Sequence, residues 1–293
     1  MRLAYLGTPA MSVPPLVALH EARHDIGLVV TRADTRRGRG GAAAPSPVKL
    51  AALDLGLPVS HDMSDIVGSG AELGVVVAFG RIIPADVLAA VPMINVHFSL
   101  LPRWRGAAPV ERAILAGDEV TGVCLMDVAE ELDTGDVYAC EKVPIGADTT
   151  AAELRDELVA RGTALLVAGL DAGLGEPVPQ EGEATYAQKI TVDDLRLDWS
   201  RAAVELHRVV RLGRAFTTFR GQRFKIHAAG VVEHPRGAEP GTLRDGVIVC
   251  GHGALVPIEV QPAGSSRMSW VAYANGSRPR DGERFGDMVG DDG

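Results

Sequence analysis

Aromatic side chains are scarce in this chain: phenylalanine, tryptophan and tyrosine make up only 4% of its 293 residues. The hydrophobic fraction is nonetheless 46% and the charged fraction 23%, which is typical of a folded globular protein and excludes a disordered or collagen-like chain. The length suffices for one large domain or two ordinary ones. We therefore predict a core that is built mainly from alanine, valine and leucine.

Cysteine is also rare, with only Cys124, Cys140 and Cys250. None has the CxxC spacing of a metal site, and no His, Cys and Asp residues cluster at metal-ligand spacing, so we predict no bound metal. The odd cysteine count and the lack of a signal-peptide pattern indicate free thiols in a reducing compartment. The longest apolar stretch, residues 73–96, is broken by charged residues and proline, whereas a membrane span needs about 18 apolar residues. The sequence thus predicts a cytoplasmic protein.

Charge is distributed unevenly along the chain, whose net charge is −9. Residues 1–188 hold 14 basic and 25 acidic residues, whereas residues 189–293 hold 15 basic and 13 acidic residues. Residues 201–236 alone contain eight basic residues and two acidic ones. A local basic stretch on an acidic protein favours contact with a polyanion in that region. The alternative is an arginine-rich surface that meets only solvent.

Strand-like and helix-like segments alternate through the first half of the chain. The apolar run Gly74–Phe79 is typical of a central parallel strand that is buried on both faces. This alternation predicts an α/β fold with a doubly wound, mostly parallel sheet. Short strands with glycine-containing turns recur after residue 202 and predict a small C-terminal β-barrel. We place the first domain at residues 1–183, a linker at 184–201, an OB-like barrel at 202–275 and a disordered tail at 276–293.

Asn95 and His97 lie two residues apart at the carboxyl end of a predicted strand. Side chains at this spacing share one face of a strand, and open α/β sheets bind ligands beyond the carboxyl ends of their strands. A carboxamide and an imidazole can together stabilise a developing oxyanion. Asp133, in an Asp-Thr-Gly turn, adds the carboxylate that acid–base chemistry requires. The alternatives are a polar pair that ends a strand and an ordinary turn.

Two motifs, Asn95-x-His97-x-Ser99-Leu-Leu-Pro102 and Leu132-Asp133-Thr134-Gly135-Asp136, resemble the folate-dependent formyltransferase family. The resemblance runs in order through nearly the whole chain and is greatest to the members that act on tRNA. It is carried further by Gly7–Pro9, Gly38–Gly40, Pro45–Lys49, Val77–Arg81, Ser99–Pro109, Lys189–Thr191, Asp198–Ser200, Gln261–Pro262 and Arg267–Ser269.

The resemblance implies that a formyl group passes directly from 10-formyltetrahydrofolate to the amino group of methionyl initiator tRNA, without a covalent enzyme intermediate. Asn95 and His97 would stabilise the oxyanion, and Asp133 would orient His97 and help to remove the amine proton. The residues implied in folate binding are Val77, Ala78, Phe79, Gly80, Arg81, Ile82, Ser99, Leu100, Leu101 and Pro102. Those implied in tRNA contact are Arg36, Arg37, Arg39, Arg208, Arg211 and Arg214. We expect a cytoplasmic monomer that binds neither a membrane nor a metal.

Four positions where the family commonly has lysine hold other residues here: Gly41, Ala42, Ser265 and Ser266. Each missing lysine removes a potential phosphate contact and lowers the expected tRNA affinity. This departure leaves a second function open, the formylation of a small amine such as an amino sugar nucleotide. A third hypothesis, an RNA-binding protein without catalysis, is disfavoured because all three candidate catalytic residues are retained.

Overall fold

The structure, a computed structural model, describes residues 1–36, 43–233 and 238–286. It divides into two compact units. The first unit comprises residues 1–110, 120–144 and 154–188, and the second comprises residues 111–119, 145–153 and 189–293. The second unit is therefore assembled from three separate stretches of the chain. Among the described residues, no helix is long and apolar enough to cross a membrane.

Eleven strands lie in the first unit and six in the second among the described residues. Those of the first unit are β1 (Arg2–Gly7), β2 (Asp25–Val30), β3 (Thr35–Arg36), β4 (Ala43–Ala44), β5 (Val59–Ser60), β6 (Leu73–Val77), β7 (Met93–His97), β8 (Arg105–Gly106), β9 (Val120–Asp127), β10 (Val137–Pro144) and β11 (Tyr186–Ala187). Those of the second unit are β12 (Phe216–Phe219), β13 (Gln222–Val232), β14 (Leu243–Arg244), β15 (Val247–Val249), β16 (Ala254–Pro262) and β17 (Met268–Ser269).

The helices of the described chain connect these strands. They are α1 (Val13–Glu21), α2 (Pro47–Asp54), α3 (Asp65–Gly68), α4 (Ala85–Ala90), α5 (Pro109–Ala116), α6 (Ala151–Ala172), α7 (Ala203–Arg211) and α8 (Trp270–Ser277). Helix α2 begins as its sequence dictates, because the Ser46 hydroxyl accepts the Lys49 N–H at 3.0 Å and Pro47 occupies the first turn.

A seven-stranded sheet forms the centre of the first unit, in the order β10-β9-β7-β6-β1-β2-β5. Strands β7, β6, β1, β2 and β5 are parallel, whereas β9 runs antiparallel to β7 and β10 antiparallel to β9. Every residue of β6 is buried, as its uninterrupted apolar sequence predicts for a central strand. The predicted doubly wound, mostly parallel sheet is thus confirmed.

Cys124 and Cys140 are joined by a disulfide. They lie directly opposite each other on β9 and β10, with their Cα atoms 4.1 Å apart. The expectation of free thiols is therefore wrong for this pair, because the register that brings them together is not visible in their spacing. Cys250 is free, and burial raises the pKa of its thiol to about 12.

An antiparallel sheet in the order β12-β13-β16-β15-β14 forms the second unit, with β17 paired to β16. Irregular pairing between Ile226 and Ala229 bends the long strand β13 against β16. Helix α7 buries Leu206, Val209 and Val210 in the core of this unit. The predicted C-terminal β-domain is confirmed in the form of a curled half-barrel.

Residues 282–286, which we call the closing strap, hydrogen-bond to both edges of this half-barrel. The Phe285 N–H donates to the Gly241 carbonyl beside β14, and the Gly286 N–H donates to Thr218 on β12. Phe285 is 2% exposed and stacks on Phe219 with ring centroids 4.2 Å apart. The prediction of a disordered tail from residue 276 is therefore wrong as far as residue 286, because one buried aromatic ring anchors a polar segment. Residues 287–293 lie outside the described residues.

The segment predicted as a linker, residues 184–201, belongs in part to each unit: residues 184–188 to the first and residues 189–201 to the second. Its strand β11 pairs with β8, and Ala187 is buried. Further along, Leu197 and Trp199 enter the core of the second unit, where the Trp199 indole N–H donates to the Thr217 hydroxyl at 3.0 Å. The segment thus buries its apolar side chains in packed structure, whereas an exposed linker would leave them in contact with solvent.

Candidate active site

Strands β6 and β7 end side by side at the carboxyl edge of the parallel sheet, where Val76 pairs with Asn95. The chain turns sharply after β6, because Ala78 and Gly80 have φ values of +45° and +76°. The segment that continues to Ile82 therefore leaves the sheet next to the strand that carries Asn95. Of the predicted folate residues here, Val77 and Phe79 are buried, Ala78 is half-buried, and Gly80, Arg81 and Ile82 are exposed.

Asn95 and His97 both lie on β7, as predicted. His97 is 5% exposed, and its Nε2 atom is 3.0 Å from the carbonyl oxygen of Trp104. Because a carbonyl oxygen can only accept, Nε2 carries a proton in this arrangement. Asn95 is half-buried, and its carboxamide has no hydrogen-bond partner among the described residues. This amide is thus available to a ligand at the sheet edge.

Asp133 is brought next to His97 although it follows that residue by 36 positions in the sequence. Its Oδ2 atom lies 3.6 Å from Nδ1 of His97 and accepts the backbone N–H of Gly106 at 2.7 Å. The Asp133 side chain is 11% exposed, and its backbone has a left-handed φ of +53°. A left-handed conformation is uncommon for a residue other than glycine and is frequent at functional sites.

The turn that carries Asp133 is packed closely against the end of β9. A Cβ atom at Gly135 would overlap the carbonyl oxygen of Asp127, so this position requires glycine. The Tyr138 hydroxyl donates to Oδ1 of Asp127 at 2.6 Å, and burial together with that carboxylate raises the pKa of Tyr138 well above its usual value. Asp127 is thereby fixed as part of the support for the turn.

The predicted folate segment Ser99–Pro102 begins two residues after His97. The Ser99 hydroxyl is fully buried and donates to the carbonyl oxygen of Arg103 at 2.6 Å. Leu100 packs against Gly122 on β9, where a Cβ atom would collide with the leucine side chain. Leu101 and Pro102 are half-buried. Ser99 thus holds the local backbone and Leu100 packs against β9, and folate binding by this segment remains a prediction.

The predicted tRNA loop lies mostly outside the described residues, which include Arg36 but neither Arg37 nor Arg39. Arg36 is exposed on β3, and β3 pairs antiparallel with β4. This pairing places Arg36 opposite Ala43.

The three arginines predicted to contact tRNA in the second unit differ in their surroundings. Arg214 is exposed, and Arg208 is half-buried with Nη1 3.4 Å from the Ala116 carbonyl oxygen. Arg211 is 8% exposed and donates to the carbonyl oxygens of Thr149 and Gly146 at 2.7 and 3.0 Å. The structure therefore contradicts the prediction of a tRNA contact for Arg211, since its guanidinium ties internal backbone together.

These side chains supply a defined set of chemical groups at one edge of the sheet. The Asn95 amide and the Nε2–H of His97 can stabilise negative charge on oxygen, and the neighbouring Asp133 carboxylate can accept a proton. Across residues 1–36, 43–233 and 238–286, no three His, Cys, Asp or Glu side chains are placed to hold a metal ion.

Sequence reasoning missed the polar residues that support this site from residues 180–185. The Gln180 side chain hydrogen-bonds to the carbonyl oxygens of Asp133 and Gly135, and the Thr185 hydroxyl accepts the Trp104 N–H at 2.9 Å. Their partners lie at least 45 residues away in the sequence. Gln180 lies near the predicted end of the first domain and Thr185 at the start of the predicted linker, and no local signal marked either residue.

Two family models match the chain. The one described as "Formyl transferase" matches residues 1–170, and the one described as "Formyl transferase, C-terminal domain" matches residues 189–278.

Similar proteins named methionyl-tRNA formyltransferase match over nearly their full length. The protein from Symbiobacterium thermophilum is 44% identical over 97% of this chain and 95% of its own. That from Gluconacetobacter diazotrophicus is 42% identical over 98% and 100%, and that from Clavibacter sepedonicus is 41% identical over 96% and 99%.

Solved structures share the fold at low identity. HypX from Aquifex aeolicus in complex with tetrahydrofolic acid is 20% identical with a TM-score of 0.63, over 94% of this chain and 47% of that one. An N-formyltransferase from Helicobacter canadensis in complex with folinic acid and dTDP-3-aminofucose is 16% identical with a TM-score of 0.68, over 89% and 98%.

Proposed function

Because the chain belongs to the formyl transferase family, we propose that it transfers a formyl group from 10-formyltetrahydrofolate to the methionine amino group of initiator methionyl-tRNA, in support of translation initiation. The observation that carries this proposal is the extent of the similarity to relatives named methionyl-tRNA formyltransferase, which runs through both units. The site is consistent with it, since Asn95, His97 and Asp133 supply the groups that formyl transfer needs.

The Asn95 carboxamide, which has no hydrogen-bond partner among the described residues, can donate to a carbonyl oxygen at the edge where α/β sheets bind ligands. 10-Formyltetrahydrofolate supplies the formyl carbon that the amine attacks directly, and its N10 takes up a proton when tetrahydrofolate leaves. As the carbon becomes tetrahedral, its oxygen gains negative charge, and Asn95 donates a hydrogen bond to it. His97 shares its Nε2–H between this oxygen and the Trp104 carbonyl, as bifurcated donors commonly do.

Asp133 accepts the proton that the attacking amine loses in this scheme. The attacking amine becomes cationic and must lose a proton before the tetrahedral species collapses to the formamide. The Asp133 carboxylate, whose Oδ2 atom lies 3.6 Å from Nδ1 of His97, orients that ring and accepts the amine proton, directly or through water. The same proton then passes to N10 as tetrahydrofolate leaves. The hydrogen bond from Gly106 keeps the carboxylate aimed at His97.

The missing lysines at Gly41, Ala42, Ser265 and Ser266 favour one second candidate, a formyltransferase for a small amine such as an amino sugar nucleotide. Such an acceptor needs fewer phosphate contacts than tRNA does. Ser265 and Ser266 are exposed, and the other two positions lie outside the described residues.

A direct comparison of acceptors tests both candidates. The purified protein is incubated with 10-formyltetrahydrofolate and either methionyl initiator tRNA or a dTDP-amino sugar, and the formylated product is measured. We expect rapid formylation of the tRNA and none of the sugar. Turnover of the sugar alone would replace the proposed function with the second candidate, and turnover of neither would contradict both.

We further propose that the protein acts in the cytoplasm as a monomer, without contact with a membrane. The proposed location follows from the acceptor, because charged initiator tRNA is used in the cytoplasm. The cysteines no longer support a reducing compartment, since Cys124 and Cys140 form a disulfide. Light scattering of the purified protein should give the mass of one chain.

Arg214 offers a test of the tRNA surface on the second unit. We expect Arg214→Gln to weaken tRNA binding and to reduce the log–log salt slope by about 0.7–0.9, because one phosphate contact and its released counterion are lost. The matched control is Arg201→Gln, since Arg201 already pairs with Glu205 at 2.7 Å and should change the slope less. Fluorescence titration with tRNA at several salt concentrations measures the slope. Equal slopes in both variants would show that Arg214 makes no contact with tRNA.

A further inference from the structure

Gln180 lies in a segment whose backbone is fixed to the edge of the first sheet. Two residues earlier, Val178 pairs with Val137 on β10 through reciprocal hydrogen bonds of 2.8 and 2.9 Å. Five residues later, the Thr185 carbonyl accepts the Arg105 N–H at 2.9 Å. The Gln180 side chain is therefore presented from an anchored backbone and not from a free loop.

The Gln180 amide uses its full hydrogen-bonding capacity on this site. Its two N–H groups donate to the carbonyl oxygens of Asp133 and Gly135 at 2.9 and 2.8 Å. Its oxygen accepts from Nε and Nη2 of Arg105 at 3.1 and 2.7 Å. A carboxamide makes two donations and accepts two hydrogen bonds, so no capacity is left over. The pattern also fixes which end of the amide is nitrogen, because carbonyl oxygens cannot donate.

These four hydrogen bonds join the two pieces of backbone that determine where the Asp133 carboxylate sits. One piece is the left-handed turn at Asp133, whose φ is +53°. The other is β8, where Arg105 is followed by Gly106, the residue whose N–H binds the carboxylate at 2.7 Å. Because the Gln180 side chain bridges these two pieces, it determines the distance between the Asp133 carboxylate and the Gly106 N–H on β8. It thereby also determines how closely the carboxylate approaches His97.

We propose that Gln180 is a positioning residue for formyl transfer: its amide clamps the Asp133 turn to β8 and so holds the Asp133 carboxylate against His97. The inference rests on the proposed function for its catalytic consequence, but the clamp itself is a property of the fold. A misplacement of a reacting group by about 1 Å can lower a rate by about 10²-fold, so a positioning residue has a large effect without touching substrate.

The variant Gln180→Glu separates the clamp from simple space filling. Glutamate has the same shape and can still accept from Arg105, but it has no N–H for the carbonyl oxygens of Asp133 and Gly135 and places negative charge against them. We expect kcat to fall about 10- to 100-fold with little change in KM for 10-formyltetrahydrofolate. Gln188→Glu, an exposed glutamine in the same stretch of chain, is the control for added charge and should leave kcat near the wild-type value.

A double-mutant cycle with Asp133→Asn distinguishes positioning from a general structural role. If Gln180 acts through the Asp133 carboxylate, Gln180→Glu lowers the residual rate of Asp133→Asn by less than threefold, because no carboxylate remains to be positioned. Losses that multiply in the double variant would overturn the proposal, as would an unchanged kcat in Gln180→Glu.

Hydrogen exchange gives a second readout that needs no acceptor. We expect the Gly106 amide to exchange on the order of tenfold faster in Gln180→Glu, because its carboxylate partner moves away, while amides of β6 keep their wild-type rates. Unchanged Gly106 exchange would contradict the clamp whatever the substrate is. Faster exchange in a protein that formylates no tRNA would leave the clamp standing and count against the proposed function alone.

Discussion

Asn95→Ala and His97→Ala are each expected to lower kcat for formyl transfer by about 10²–10³-fold, the usual loss when one oxyanion donor is removed. Both residues lie on β7 at the carboxyl edge of the sheet, and neither is a large apolar part of the core. The loss should fall on kcat more than on KM for 10-formyltetrahydrofolate, because the negative charge that these groups stabilise develops only in the transition state.

The sheet provides a matched histidine control at its opposite edge. His24 lies immediately before β2, and its Nε2 atom is 3.4 Å from Oδ1 of Asp171, so it is also an imidazole beside a carboxylate. We expect His24→Ala to keep kcat within a few-fold of wild type, since it stands far along the strands from the reacting groups. Circular dichroism of all three variants checks that the fold survives. Near-normal turnover in Asn95→Ala or His97→Ala would show that the substituted residue does not stabilise the oxyanion.

Phe285→Ala is expected to destabilise the second unit by about 3–5 kcal/mol, which is typical for the loss of a buried phenylalanine. Besides Phe219, the Phe285 ring contacts Phe224, Trp199 and Trp270, with ring centroids 5.6, 5.9 and 6.4 Å away. Truncation would leave a cavity among four aromatic side chains and loosen the closing strap. Two tryptophans lie in this cluster, so their fluorescence during denaturant unfolding reports on the change directly.

Shortened chains supply the control for this prediction. A chain that ends at Asp281 lacks the closing strap and should lose at least as much stability as Phe285→Ala. A chain that ends at Gly286 keeps the backbone hydrogen bonds to β12 and β14 and should unfold at the wild-type denaturant concentration. Equal stability of the two shortened chains would show that the strap contributes nothing.

The elements that sequence patterns predicted well are those whose signals are local. The apolar run Gly74–Phe79 marks a buried strand. The spacing of Asn95 and His97 placed both on one strand end. In each case the deciding interactions lie within a few residues of one another, so the sequence contains them directly.

The features that escaped prediction depend on contacts between distant residues. The polar composition around Phe285 suggested disorder, because nothing nearby shows that its ring meets Phe219 some 66 residues earlier. Gln180 gave no sequence signal because the carbonyl oxygens that it binds are 45 and 47 residues away. Arg211 counted as a surface charge because the carbonyl oxygens that hold it come from a different part of the chain. Only the folded chain supplies these partners.

The three-part composition of the second unit limits how modular this protein is. The core around α7 includes Leu115 from α5, and the buried Arg211 guanidinium depends on the carbonyl oxygens of Gly146 and Thr149. A fragment cut out from residue 189 onward would lack these acceptors and would leave the core around α7 without Leu115, so we expect it to be less stable than the intact unit. Recombination between relatives at that boundary would meet the same obstacle. A functional chimera has to exchange residues 111–119 and 145–153 together with the stretch that begins at residue 189. The part of the chain that has to be exchanged as one piece is therefore defined by contacts between residues and not by continuity of the sequence.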